Sequence, residues 1–225
     1  HKKPTLTKKQ RHKLRVQQVR RQKIFLTCLF LLIVGCILLR FSKFSGRQEE
    51  AHQINAACEA YRDEVSSEAA QYDMSKYVDL ILAVMMQESS GQGTDPMQSS
   101  EGAYNTRYPQ QPNGITDPSY SISCGIQELK YALDKAGCTG PTDLSKIRLA
   151  LQAYNFGADS YFAYLEENGQ TVWTAQSAQA FAQMASGGTQ RDEDDPLHDP
   201  AGPWDYGDQY YPDHVLRYYH LDNNS

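Results

Sequence analysis

In the run AVMMQESSGQG, residues 83 to 93, an apolar helix-forming segment ends on a carboxylate, Glu88, followed at once by two serines and two glycines. Tyr77, Leu80, Ile81, Val84 and Met85 recur at three- and four-residue steps and share one helical face. Glu88 follows Val84 by four and Met85 by three, so it projects from that same face. Burial disfavours the ionised form of a carboxyl group and raises its pKa. The negative end of the helix dipole acts in the same direction. The chemistry this predicts is proton donation, because an acid that stays neutral near pH 7 is what a general acid requires. Gly91 and Gly93 end the helix and keep bulk away from the carboxyl group. A glutamate that has only reached solvent at a helix end is the other reading of this segment taken alone.

The element that positions Glu88 is a helix over KYVDLILAVMMQES, with Asp73 or Ser75 as its candidate cap. A modestly apolar helix over residues 51–70 precedes it. Residues 91–124 are rich in Gly, Pro, Ser, Asn and Gln and read as a long loop, a type of segment that commonly carries function. Helical patterning returns at 127–136, 143–154, 158–167 and 174–185, and DHVLRYYHL reads as a short closing helix. Strand signals are scarce. The fold class expected is mainly α, with one core in a domain over residues 51–220 and a short tail at 221–225.

Ahead of that domain the charge is one-sided. Residues 1–47 carry thirteen of the 22 Lys and Arg and no acid, which leaves nine bases against 27 acids in the remainder. Such an acidic bulk excludes nucleic acid binding by charge. Ile24 to Leu39 is an apolar run without charge, and with Phe41 it reads as a single-pass membrane anchor over residues 24–41. The basic arm, residues 1–23, is then expected in the cytoplasm, residues 42–50 as a linker and the acidic domain outside. On that side disulfides are permitted. Cys58, Cys124 and Cys138 leave three pairings and free thiols open; Cys124–Cys138 would close a loop worth about 3 kcal/mol. The acidic run Asp192, Glu193, Asp194, Asp195 lacks the spacing and glycine of an EF-hand loop and reads as a solvated loop. No metal and no cofactor are expected.

QESSG around Glu88, SISCGIQ ending at Gln127, and ALQAYNFG from Ala150 to Gly157 form an ordered set. This set resembles the motif trio of goose-type lysozymes and soluble lytic transglycosylases. DPMQSSEG, Asp95 to Gly102, and YGDQYYPDHVLRYY near the end narrow the resemblance to the lysozyme-like domain of membrane-anchored cell-wall hydrolases of Gram-positive conjugative elements. It covers roughly residues 50–220. Some members of that group carry a C-terminal NlpC/P60 peptidase; nothing in this sequence resembles it, and peptidase activity is not expected of these residues.

The resemblance implies a substrate, the peptidoglycan glycan strand, cut between N-acetylmuramic acid and N-acetylglucosamine with Glu88 as the acid. An inverting hydrolase needs a second carboxylate to activate water. Asp95 and Glu101 are the candidates, since their loop follows the helix and can fold back over the groove; a turn-forming Asp–Pro and a surface charge are the alternatives. A lytic transglycosylase needs no water, and Ser89 then stands where the superfamily has an assisting serine. Gln98, Ser99, Ser100, Gln127, Tyr154 and Asn155 are the expected glycan contacts, each with a purely structural alternative in loop, helix or core. The resemblance leans towards muramidase hydrolysis, with wall opening for a conjugative secretion complex. A non-catalytic glycan-binding scaffold is the rival class.

Overall fold

Leu80 to Met85 is an unbroken run of apolar residues, and a helix made of it has no polar side to offer water. It is therefore buried all round: each of these six residues is 0% exposed. In the computed structural model this is α3, and the structure describes residues 52–195 and 197–220. The element order is α1 (Ala56–Glu59), α2 (Arg62–Gln71), a 3₁₀ turn (Ser75–Tyr77), α3 (Val78–Glu88), α4 (Pro118–Ala136), α5 (Leu144–Phe156), α6 (Ala158–Glu167), α7 (Ala175–Ala185) and α8 (Tyr211–Leu216). Among the described residues there is no strand, only an isolated bridge between Gln190 and Trp204. The expected anchor over residues 24–41, with the arm, the linker and the tail, lies outside the described residues. No helix among the described residues is long and apolar enough to cross a membrane.

Half of the eight described helices start on a side-chain cap. Asn55 caps α1 by accepting from the Cys58 amide at 2.8 Å. Asp117 caps α4 with Pro118 in its first turn, Asp143 caps α5, and Thr174 and Ser177 form a capping box on α7. The expected cap of α3 is corrected: the chain enters through the 3₁₀ turn with no side-chain cap, and Asp73 adopts a left-handed φ of 58° instead. Residues 51–70 hold two helices rather than one.

The larger correction concerns residues 91–124, expected as loop throughout. Helix α4 begins at Pro118, and the small or polar Ser121 and Gly125 that its first half buries beside Ile122, Cys124 and Ile126 give that stretch the composition of a loop. A Cβ on Gly125 would stand 2.6 Å from the Met97 side chain, so only glycine lets the loop after α3 lie this close to α4. Helices α4 and α5 pack along each other, α3 is flanked by α2 and α8, and α5 also meets α6 and α8. The core runs between these helices, with Phe156, Tyr161 and Phe181 in mutual ring contact at one end.

Of the alternatives left open for the cysteines, the structure has the free thiols: Cys58, Cys124 and Cys138 form no disulfide. Cys124 donates to the Tyr104 carbonyl at 3.5 Å and Cys138 to that of Gly140 at 3.4 Å, so the two sulfurs serve different turns.

Candidate active site

Glu88 is the last residue of α3 and sits where two adjoining cavities meet. One has a volume of about 700 Å³, the other about 660 Å³, and both are lined by Glu88, Gln98 and Asn155. The Tyr211 hydroxyl, at the start of α8, donates to Glu88 Oε1. Tyr211 is 2% exposed and stacks on Tyr154 with ring centroids 6.3 Å apart. Tyr154 in turn donates to the Met97 carbonyl at 3.0 Å, which ties α5 to the loop after α3. The carboxyl group is thus fixed by one phenol backed by a second.

Burial pushes the Glu88 carboxyl up to about 7; the Tyr211 hydrogen bond opposes this, and the negative charges of Asp208, Asp95 and Glu128 add to it. Burial likewise holds both tyrosine hydroxyls well above their ordinary range, so each stays a donor.

The loop that closes over the site hangs on Asp95. Asp95 is 1% exposed and accepts four hydrogen bonds: from the amides of Ser99 (3.0 Å) and Ser100 (3.1 Å), from Ser121 Oγ (2.6 Å) and from Ser100 Oγ. The two hydroxyls pass the connection on, Ser121 Oγ accepting from the Met97 amide at 3.1 Å and Ser100 Oγ from the Ile115 amide at 2.9 Å. The backbone enters this loop through left-handed conformations at Ser90, Gly91 and Gly93, and Gln98 has a φ of 48°. At Gly91 a side chain is also excluded by space, since a Cβ would stand 2.8 Å from the Cys58 nitrogen.

The expected site residues divide into two groups. Glu88, Gln98, Glu101, Tyr154 and Asn155 line the first cavity, Glu101 as an exposed rim residue. Asp95, Ser89, Ser99, Ser100 and Gln127 line neither cavity. Ser89 Oγ donates to the Pro96 carbonyl at 2.8 Å and accepts from the Gly91 amide at 3.1 Å. Ser99 Oγ donates to the Ser121 carbonyl at 3.3 Å, and Gln127 donates to the Ser123 carbonyl of its own helix at 3.1 Å. These five hold the walls rather than face the cleft. Asn155 Oδ1 accepts from the Asp208 amide at 2.7 Å, so it positions the segment before α8 while it lines both cavities.

Three further cleft groups were not among the expected site residues: Tyr211 and Asp208 lie within the YGDQYYPDHVLRYY motif, and Glu128 lies just past SISCGIQ. Tyr211 comes from 123 residues beyond Glu88. Asp208 lines the second cavity beside His214, whose pKa the hydrogen bond to Asp208 raises. Glu128, the neighbour of Gln127, lines the first cavity, and burial pushes its carboxyl up to about 7, with the Asp95 charge adding and the amides of Tyr104 and Ala103 opposing. Among the described residues no group of His, Cys, Asp and Glu is arranged to hold a metal ion.

A family model of lysozyme-like domains matches residues 56–219, which include α1 to α8 and the whole cleft. The chain belongs to the lysozyme-like family. Among the relatives of this lysozyme-like domain, the bifunctional muramidase/DL-endopeptidase CwlT of Bacillus subtilis is 35% identical over 173 residues, 77% of this chain and 43% of the relative. The uncharacterized membrane protein YocA of the same organism is 40% identical over 111 residues, 49% of this chain and 45% of the relative. A crystal structure of a lipoprotein-like protein of the NLP/P60 family from Staphylococcus aureus superposes with a TM-score of 0.63 at 27% identity, covering 77% of this chain and 56% of that one. The chain spans less than half the length of these two curated relatives.

Proposed function

We propose that this lysozyme-like domain cleaves the glycan strand of peptidoglycan as a muramidase, at the β-1,4 bond from N-acetylmuramic acid to N-acetylglucosamine. The observation that carries this reading is Glu88 itself, a carboxyl group raised to about 7 at the junction of two cavities and oriented by Tyr211. A strand laid across that junction presents its glycosidic oxygen to a group still protonated at neutral pH, and Glu88 donates the proton as the bond breaks. Asp95 has a positioning role: its four donors shape the loop that carries Gln98 and Glu101, and its charge helps keep Glu88 protonated. Gln98, Glu101, Tyr154 and Asn155 contact the glycan from the cleft walls, while Ser89, Ser99, Ser100 and Gln127 support those walls. The 35% identity to a muramidase/DL-endopeptidase supports the choice of substrate.

The apolar run at 24–41 anchors the domain in the cell membrane with the catalytic domain on the wall side, and the chain opens the wall locally for a conjugative secretion complex. YocA's name as a membrane protein is in keeping with the anchor.

The test is mass spectrometry of fragments released from purified peptidoglycan by the full chain beside Glu88→Gln. Reducing N-acetylmuramic acid ends from the parent, and a loss of about 10²–10⁴-fold in the variant, are expected. Anhydro ends would make the protein a lytic transglycosylase. Wall binding without fragments would make it a scaffold.

A further inference from the structure

The first cavity holds more negative charge than one proton donor requires, and its carboxylates are not equivalent. Asp159 is paired with Lys135 and receives the Tyr131 hydroxyl. Glu101 stands exposed on the rim. Asp95, beneath the loop, has donors on both oxygens and does not reach the cavity. Glu128 differs from all three. It lines the cavity from α4, one turn beyond Gly125, on the face that the loop crosses. Its Oε1 is buried without any hydrogen-bond partner. Gly102 lies directly on it, since a Cβ there would stand 1.4 Å from that oxygen, so the loop leaves room for the carboxyl group only because residue 102 has no side chain.

The amides of Tyr104 and Ala103 act on this carboxyl group yet leave Oε1 without a partner, whereas Asp95, in its structural place, has donors on both oxygens. Glu128 instead shares a water-accessible cavity with Glu88 while one of its oxygens goes without a donor.

Resting on the glycan-hydrolase reading above, we propose that Glu128 is the second carboxylate of the reaction, the base that activates the attacking water. In the step, the water oxygen bonds to C1 of the N-acetylmuramic acid residue and its proton passes to Glu128. The bond from C1 to the bridging oxygen breaks, and Glu88 gives that oxygen its proton. Glu88 ends ionised and Glu128 protonated, and exchange with solvent restores both. The cycle begins with a single proton on the pair. Their mutual repulsion favours that state, and the Glu128 charge is among those that hold the Glu88 proton on. Asp95, Glu88, Tyr104 and Tyr131 are the other titratable groups around Glu128.

The experiment compares the full chain with Glu128→Gln and Glu128→Ala on purified peptidoglycan, following kcat, KM, the pH profile of kcat/KM and the thermal midpoint. Glutamine keeps the shape and cannot take the proton. For Glu128→Gln the expected result is a kcat about 10²-fold lower or less, KM within about threefold and loss of the acid limb of the profile, because no base remains to be ionised. For Glu128→Ala, azide, an anionic nucleophile that needs no base, restores turnover and gives a glycosyl azide. Glu128→Gln with wild-type kcat or an intact acid limb overturns the proposal, as does a change confined to KM. If Glu128→Gln does not fold, the azide experiment decides, and an unrescued or unfolded Glu128→Ala overturns the proposal as well. Anhydro ends from the parent chain overturn it while leaving glycan cleavage standing. No fragments from the parent chain is failure of the glycan-cleavage reading itself.

Discussion

Two long irregular segments enclose Glu88, residues 89–117 from one side and residues 186–210 from the other, and one is held at a single centre while the other is held at several points. The first is organised around a buried anion, Asp95, on which two amides and two hydroxyls converge. The second is held at several points, by neutral amides and by Arg191, which pairs with Asp205 at 3.5 Å and donates to the Gly207 carbonyl at 3.0 Å. Gln209, 1% exposed, accepts from the Trp204 amide at 3.2 Å and donates to the carbonyls of Trp204 and Tyr206 at 3.1 and 3.0 Å. Gln152 donates to the Asp208 carbonyl at 2.8 Å, and Asn155 accepts from the amide of the same residue. Hydrogen bonds to a charged group are worth about 1.5–3 kcal/mol, against roughly 1 kcal/mol for neutral ones. Removing a central anion therefore undoes one loop at a single point, whereas the second segment spreads its stability over several side chains. The single-centre arrangement lies on the side that carries Glu101, Gly102 and the roof over Glu128.

The largest expected effect tests this directly. Asp95→Ala leaves four donors without their acceptor and is expected to cost about 3 kcal/mol or more, a fall of roughly 10 °C in thermal midpoint, together with glycan cleavage. If activity is lost while the midpoint is unchanged, Asp95 acts in the chemistry rather than beneath it. Gln209→Ala is expected to cost only about 1–2 kcal/mol by the same thermal measurement. A loss as large as that of Asp95→Ala would mean that the second segment also hangs on one residue, and the contrast would fail.

Smaller effects concern the carboxyl group between the two segments. Glu88 has a folded-state pKa raised from 4.5 to about 7. Its contribution to stability is thus fully present below about 4.5 and is lost as pH rises through about 7. Glu88→Gln has no such loss, so its thermal midpoint should gain on the wild type between pH 5 and pH 8; parallel curves would contradict the burial of Glu88. The smallest shift is expected for Tyr211→Phe. The tyrosine hydroxyl favours the ionised form of Glu88, so its removal moves the Glu88 pKa further up and carries the alkaline limb of the activity profile to higher pH.

How much of this was legible in the sequence depended on whether the signal was local. The apolar run that buries α3 and the pairing of Tyr154 with Asn155 at one helix end are properties of a few neighbouring residues. The first half of α4 was hidden because Ser121 and Gly125, which it buries together with Ile122, Cys124 and Ile126, have the composition of a loop and meet the loop at Asp95 and Met97 rather than an apolar helix. Gln127 attracted notice through its motif, yet the face of α4 turned to the cavity is set by where Met97 meets Gly125, and that face carries Glu128. Asp95 was visible as a carboxylate near the site; that Ser121, from another helix, would donate to it was not. Tyr211 lies in the YGDQYYPDHVLRYY motif, but nothing local marks it out among the tyrosines of that segment as the partner of Glu88, 123 residues away.

That separation bears on when the site is complete. Glu88 is synthesised early, but the phenol that donates to it and part of the cavity wall around it are supplied by Tyr211 and Asp208, among the last described residues of the domain to leave the ribosome. A chain that ends before them lacks the Tyr211 hydrogen bond and that part of the enclosure, and a glutamate left more open to water moves towards the ordinary carboxylate range. Under the proposed function, the acid is fully positioned only when the final helix docks.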